Sequence, residues 1–197
     1  ENLNDFLGYY VNCYARVDER NNTYENVYTA VNEKENEILT IKAEDIDSFK
    51  NGVFTYYDKD GKKRDVKLAD DADVIFNGKA MPDYTNAHMV PNSGYVTLID
   101  NGKSWNVVLV TYYNTAVVGY VDAKNEKVLL MDMAGVIEYG EADNIYIELD
   151  GNSISGSELA AWDVLSIAAD VMADTTTGRL DIANSKIFNI RVKRGGV

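Results

Sequence analysis

The chain has 197 residues, a formal net charge of −13 and 46% hydrophobic residues, enough to build a core and too many for a disordered chain. Its acidity repels phosphate backbones and argues against nucleic acid as a partner, and no run approaches the roughly 18 apolar residues of a membrane-spanning helix. One cysteine, Cys13, excludes an internal disulfide.

Apolar residues alternate with polar ones through most of the chain, the pattern of strands. Residues 9–17 and 24–31 predict a hairpin across the polar loop Asp18-Glu19-Arg20-Asn21-Asn22-Thr23. Cys13, in the first of these runs, reads as a small buried hydrophobe. Ile38-Leu39-Thr40-Ile41 is the next strand, with Ala43-Glu44-Asp45-Ile46 as one helical turn. Asn51-Gly52 turns into residues 53–57, and Asp58-Lys59-Asp60-Gly61 turns into Val66-Lys67-Leu68. Asn, Asp and Gly tolerate the left-handed backbone that tight hairpins need. Asp70-Asp71-Ala72-Asp73 reads as a solvated acidic loop. Further strands are expected at 74–76, 95–99 and 107–113, the last two flanking Asn101-Gly102. Residues 117–121 and 128–131 pair across 122–126, and 145–149, 164–168 and 187–192 complete the set. A second helical turn is expected at Ser157-Glu158-Leu159-Ala160-Ala161, capped by Ser157.

The two halves repeat one order of elements. Val74-Ile75-Phe76 runs into Asn77-Gly78, then a polar, mildly helical stretch, then strands 94–100 and 107–111. Residues 145–149 run into Asp150-Gly151, then the turn at Ser157, then strands 162–168 and 187–192. The fold expected is mainly β: two tandem small β-barrel-like or sandwich-like domains with short helical turns, at residues 1–117 and 118–197. Closure into small barrels removes exposed strand edges. The chain starts at Glu1 and ends within strand-like sequence, and is expected to be a fragment of a longer one.

Catalytic patterns are sparse. The single histidine, His88, would have to serve any Ser-His-Asp triad, and no Gly-x-Ser-x-Gly elbow supplies a serine. One Cys and one His do not make a closed zinc site. Asp58-Lys59-Asp60-Gly61 has the opening of an acidic calcium loop, but Lys62-Lys63-Arg64 follow and oppose a divalent ion. No catalytic, cofactor or metal residues are therefore assigned, and the chain is read as a non-enzyme. The aromatic set is the richer signal: 14 Tyr stand against 5 Phe and 2 Trp, and tyrosine suits a surface that is half apolar and half wet. Tyr9, Tyr24, Tyr28, Tyr56 and Tyr112 are taken as the candidate interaction surface, to stack on sugars or pack on a subunit.

Leu7-Gly8-Tyr9, Glu37-Ile38-Leu39-Thr40-Ile41, Asp73 through Ala80, Gly94 through Asp100, and Trp162 through Ala168 together resemble β-repeat regions of large clostridial surface proteins, some of which carry S-layer-homology modules. The resemblance implies an extracellular modular protein with a structural or adhesive role and no catalytic residues. Asp100-Asn101-Gly102-Lys103-Ser104-Trp105 is a shortened form of an acidic loop in that pattern, which weakens any ion-binding expectation. The leading expectation is a structural or interaction module of a surface-layer-associated protein. A phage tail or baseplate component and a carbohydrate-binding module of an extracellular hydrolase are the alternatives. Expected partners are protein subunits or cell-wall glycan, with homo-oligomers among the expected states, at a cell surface or on a virion.

Overall fold

The computed structural model describes residues 11–18, 23–31, 37–100, 104–131, 135–140, 145–174, 176–177 and 180–194. The chain is mainly β, in a hairpin and two seven-stranded sheets. Strands β1 (Val11–Asp18) and β2 (Thr23–Val31) pair antiparallel as the hairpin the sequence predicts. Cys13 faces Thr29 across this ladder.

The first large sheet holds β3 (Glu37–Lys42), β4 (Ile46–Lys50), β5 (Val53–Tyr57), β6 (Lys63–Phe76), β7 (Lys79–Ala80), β8 (Gly94–Asp100) and β9 (Trp105–Tyr112). Its order is β3-β8-β9-β6-β5-β4, with β7 folded back on β6, and a short helix α1 (Asn86–Met89) precedes β8. The second holds β10 (Asn114–Asp122), β11 (Lys127–Leu130), β12 (Val136–Glu138), β13 (Tyr146–Leu149), β14 (Asn152–Ser153), β15 (Val164–Ala169) and β16 (Ile187–Lys193), in the order β12-β11-β10-β15-β16-β13-β14. The chain changes sheets at Tyr113, just ahead of residue 117.

The repeat read in the sequence has a geometric counterpart. In the first sheet β8 is antiparallel and β6 parallel to β9; in the second β15 is antiparallel and β13 parallel to β16. Each parallel strand ends in a left-handed turn, Asn77-Gly78 or Asp150-Gly151, and a two-residue hairpin arm follows it. The same hydrogen bond closes both arms: Met81 N–H to the Val74 carbonyl at 2.8 Å, and Ile154 N–H to the Ile147 carbonyl at 2.9 Å. Matching β3 through β9 to β10 through β16 makes the two strand orders cuts of one ring. The first is cut between β3 and β4, the second between β12 and β13.

Cross-strand rows form the cores. Ile41, Val96, Val110 and Phe76 make one row of the first unit, and Ala116, Leu165, Val192 and Leu149 make its counterpart. A second row, Leu39-Leu98-Val108-Val74, matches Asn114-Ile167-Ile190-Ile147. Most of these side chains are buried, and each fully buried aliphatic contributes about 1.5–3 kcal/mol.

Three local expectations are corrected. Asp70-Asp71-Ala72-Asp73 is not a loop but the middle of the 14-residue β6. It falls where β6 leaves β5 and takes up β9, a register break between Leu68 and Asp73, so polar residues there face no continuous ladder. The second helical turn is a 3-10 turn at Gly156–Glu158, capped by Ser155 and not Ser157. Ser155 Oγ accepts from Ser157 N–H at 3.3 Å, and Glu158 reaches back to Ser155 N–H at 2.8 Å. Finally, β4 and β12 were missed, being short strands at sheet ends with one buried side chain each, Phe49 and Ile137.

Gly94 opens β8 at φ +119°, and a Cβ there would overlap the Thr111 carbonyl oxygen of β9. Gly94→Ala is expected to destabilise the chain by at least about 3 kcal/mol in urea unfolding, since the clash is with backbone. Gly151→Ala, at φ +81° with nothing within 4 Å of the added carbon, costs about 1 kcal/mol on the same assay.

Candidate functional site

The two large sheets meet at the turn after β6. Asn77 lies in the left-handed region, φ 44°, where asparagine is tolerated better than most residues. Its side chain is buried and fully engaged. Nδ2 donates to the Tyr112 carbonyl at 2.9 Å and to the Ala169 carbonyl at 2.6 Å, and Oδ1 accepts from Tyr112 N–H at 2.8 Å. One amide thus ties the end of β6 to the end of β9 and to the end of β15 in the other sheet.

Two further contacts flank it. Asn114, also buried, accepts from Ala173 N–H on Oδ1 at 3.2 Å, and Met172 packs on the core of the first unit. Lys79 bridges to Asp170 at 3.2 Å, and Asp170 also accepts Lys186 N–H at 2.8 Å. Burial pushes the Asp170 carboxyl up, but the Lys186 N–H and the Lys79 ammonium outweigh it and hold it below the usual carboxylate range.

A cleft of about 790 Å³ opens beside this junction, within the size range of small-molecule sites. From the first unit it is lined by Asn77, Gly78, Tyr95, Thr111 and Tyr113, and from the second by Tyr146, Glu148, Ala168, Asn189 and Arg191. The Arg191 guanidinium lies 5.2 Å from the centre of the Tyr113 ring, a cation–π contact. Burial raises the Tyr113 hydroxyl to about 12, against the pull of Arg191, so it is a hydrogen-bond donor at neutral pH. Asn189 Oδ1 is buried and has no partner.

The candidate tyrosines do not converge. Tyr9 lies outside the described residues. Tyr24 and Tyr28 sit on β2, opposite Val17 and Tyr14. Tyr56 is half-buried against the core of the first unit. Tyr112 is corrected from surface to core: it is 8% exposed, its ring lies 5.8 Å from Phe76, and its hydroxyl accepts from Asn92 Nδ2 at 3.2 Å. It ends β9 with its side chain on the inward row; Tyr113 is also 8% exposed but lines the cleft. Tyr95, Tyr113 and Tyr146 are the tyrosines a cavity brings together, and sequence spacing had no means of pairing residues from different sheets.

The other sequence candidates have structural employment. Asp58 accepts Asp60 N–H at 3.0 Å, Lys62 N–H at 2.9 Å and Arg64 Nε at 2.8 Å, so its carboxylate holds the hairpin turn. The Arg64 hydrogen bond and the turn N–H groups lower its pKa. His88 accepts Thr85 N–H on Nδ1 at 3.0 Å and sets its ring edge-on to Phe76 at 5.4 Å. Among the described residues no three His, Cys, Asp or Glu side chains are grouped to hold a metal, and no helix is long and apolar enough to cross a membrane.

Comparison of the chain with family models, curated proteins and solved structures gives no match.

Asn77→Ala strands the Tyr112 and Ala169 backbone groups without partners, and is expected to cost about 3 kcal/mol in urea unfolding. Asp170 has a depressed folded pKa, so its contribution is present above the unfolded carboxylate value of about 3.9 and is lost as pH falls through the lower folded value. Acid titration of stability is expected to weaken the chain below about pH 4, with a shallower acid limb in Asp170→Asn; an unchanged limb would remove Asp170 from the account.

Proposed function

We propose that this chain is a non-enzymatic structural and interaction module of a larger extracellular, surface-layer-associated protein, its two β-units acting as one stiff element. The observation that carries this reading is the Asn77 clamp. A flexible tandem needs no buried side chain across its junction, whereas a spacer that transmits force or holds a fixed angle does. The surface setting is drawn from the sequence resemblance, and the net charge of −13 suits a solvated exterior.

A second reading, a subunit of a phage tail or baseplate, is favoured by a different feature. Tyr120, Leu129 and Val136 are direct cross-strand neighbours on β10, β11 and β12, and all three are exposed, Tyr120 at 61%. Met131 is exposed next to them. An outward apolar row on a terminal hairpin is the surface a second copy of this chain would cover in a closed ring.

Light scattering after size exclusion separates the two. The spacer reading expects a monomer whose sheets unfold in one cooperative transition. A fixed trimer or hexamer that Leu129→Lys dissolves would replace it with the particle subunit. A monomer with two well-separated transitions, unaltered by Asn77→Ala, would defeat both.

A further inference from the structure

We propose that the junction cleft is a carbohydrate-binding site that takes a short oligosaccharide between Tyr146, Tyr113 and Tyr95. This goes beyond the spacer reading, which needs the junction to be rigid but not to bind anything.

The internal repeat supplies the argument. On the second sheet, Tyr146 faces Asn189 and Glu148 faces Arg191 across the parallel ladder of β13 and β16. In the first sheet the corresponding pairs across β6 and β9 are Asp73 with Val107 and Ile75 with Leu109. Val107, Ile75 and Leu109 are half-buried in the same ladder positions. The fold therefore accepts aliphatic side chains there. Asn189, Glu148 and Arg191 are a departure that strand geometry does not require.

The cleft is lined by Glu148, Asn189 and Arg191 from the second unit and by Thr111 from the first. Rings and hydrogen-bonding groups that share one cavity fit a molecule with apolar C–H faces and equatorial hydroxyls, as sugars have. Of the lining tyrosines, Tyr146 is 44% exposed and Tyr113 is 8% exposed with Arg191 over its ring.

Other ligand classes fit less well. A phosphate-bearing ligand would meet one Arg opposed by Glu148, on a chain of net charge −13. An apolar ligand would leave Glu148, Asn189 and Arg191 unpaired.

The test presents the full chain to an immobilised array of neutral, N-acetylated and acidic oligosaccharides, followed by calorimetric titration of the strongest binder. Saturable binding is expected, weakened at least tenfold by Tyr146→Ala and by Glu148→Gln, and unchanged by Trp162→Ala. Trp162 is the control because it is 65% exposed and outside the cleft. Melting curves of both cleft variants are expected to match the parent, so a loss of binding reports on the site. No binding across the array overturns the proposal. So does binding that survives both cleft variants, or that Trp162→Ala removes, since either places recognition elsewhere; capture of peptide in place of glycan on a parallel peptide array would also overturn it. The oligomeric state and unfolding behaviour of the spacer reading are untouched by any of these outcomes.

Discussion

The side-chain amide of Asn77 is the contact on which the arrangement of the two sheets depends. It satisfies three backbone groups at once, two at the end of β9 and one at the end of β15. Those groups lie where strands stop, so no ladder neighbour serves them, and a buried backbone polar group must find a partner. An asparagine in the left-handed turn does this because its amide has donors and an acceptor, and because its short side chain tolerates positive φ. Aspartate would lack the donors and glycine the side chain. The turn that reverses β6 is thereby also the joint between units, and the Tyr113–Arg191 stack and the cleft beside it inherit their geometry from that joint.

The corresponding turn of the second unit shows what changes when the joint is not needed. Asp150-Gly151 has nearly the same backbone as Asn77-Gly78, φ 51° and 81° against 44° and 81°. Asp150 is exposed, and only its carbonyl is engaged, by Asn152 Nδ2 at 3.3 Å. Identical backbone demands are met by different side chains because one turn faces a neighbour and the other faces solvent. The repeat supplies the turn; the tandem arrangement selects asparagine at one copy.

The mainly β character and the repeated order of elements were legible from the sequence because both live in local patterns. Alternation marks strands, Asn51-Gly52 and Asp58-Lys59-Asp60-Gly61 mark turns, and the matched runs at 74–79 and 145–152 mark the repeat. What escaped was decided by contacts between distant residues. Nothing near Asp70 says that β6 changes partners there, since the ladder it joins begins at Trp105. Tyr112 and Tyr113 differ in role through Asn92 and Arg191, residues on other elements. The cleft combines residues from β8, β9, β13, β15 and β16. Its one sequence trace is the replacement of Ile75, Val107 and Leu109 by Glu148, Asn189 and Arg191 between matched strands, readable only once the pairings are known.

That substitution pattern says how the fold divides its two faces. At the row ends Leu39 gives way to Asn114 and Phe76 to Leu149, whereas on the two central strands the inner rows are conservative between copies: Val96 and Leu165, Leu98 and Ile167, and Val108 and Ile190 exchange one aliphatic for another and Val110 matches Val192. Packing enforces this, because a change of even a methylene in a close-packed interior is felt. The outer rows are under no such constraint and differ in polarity, charge and aromatic content. Stability is thus written on one face of each sheet, and the outer face is left free to vary. On the second sheet that freedom coincides with the wall of the cleft, where Glu148, Asn189 and Arg191 stand beside three tyrosines. At these matched positions the first copy carries Asp73, Ile75, Val107 and Leu109 and the second Tyr146, Glu148, Asn189 and Arg191, so the charged part of the cleft comes from the second copy while two of its three tyrosines come from the first.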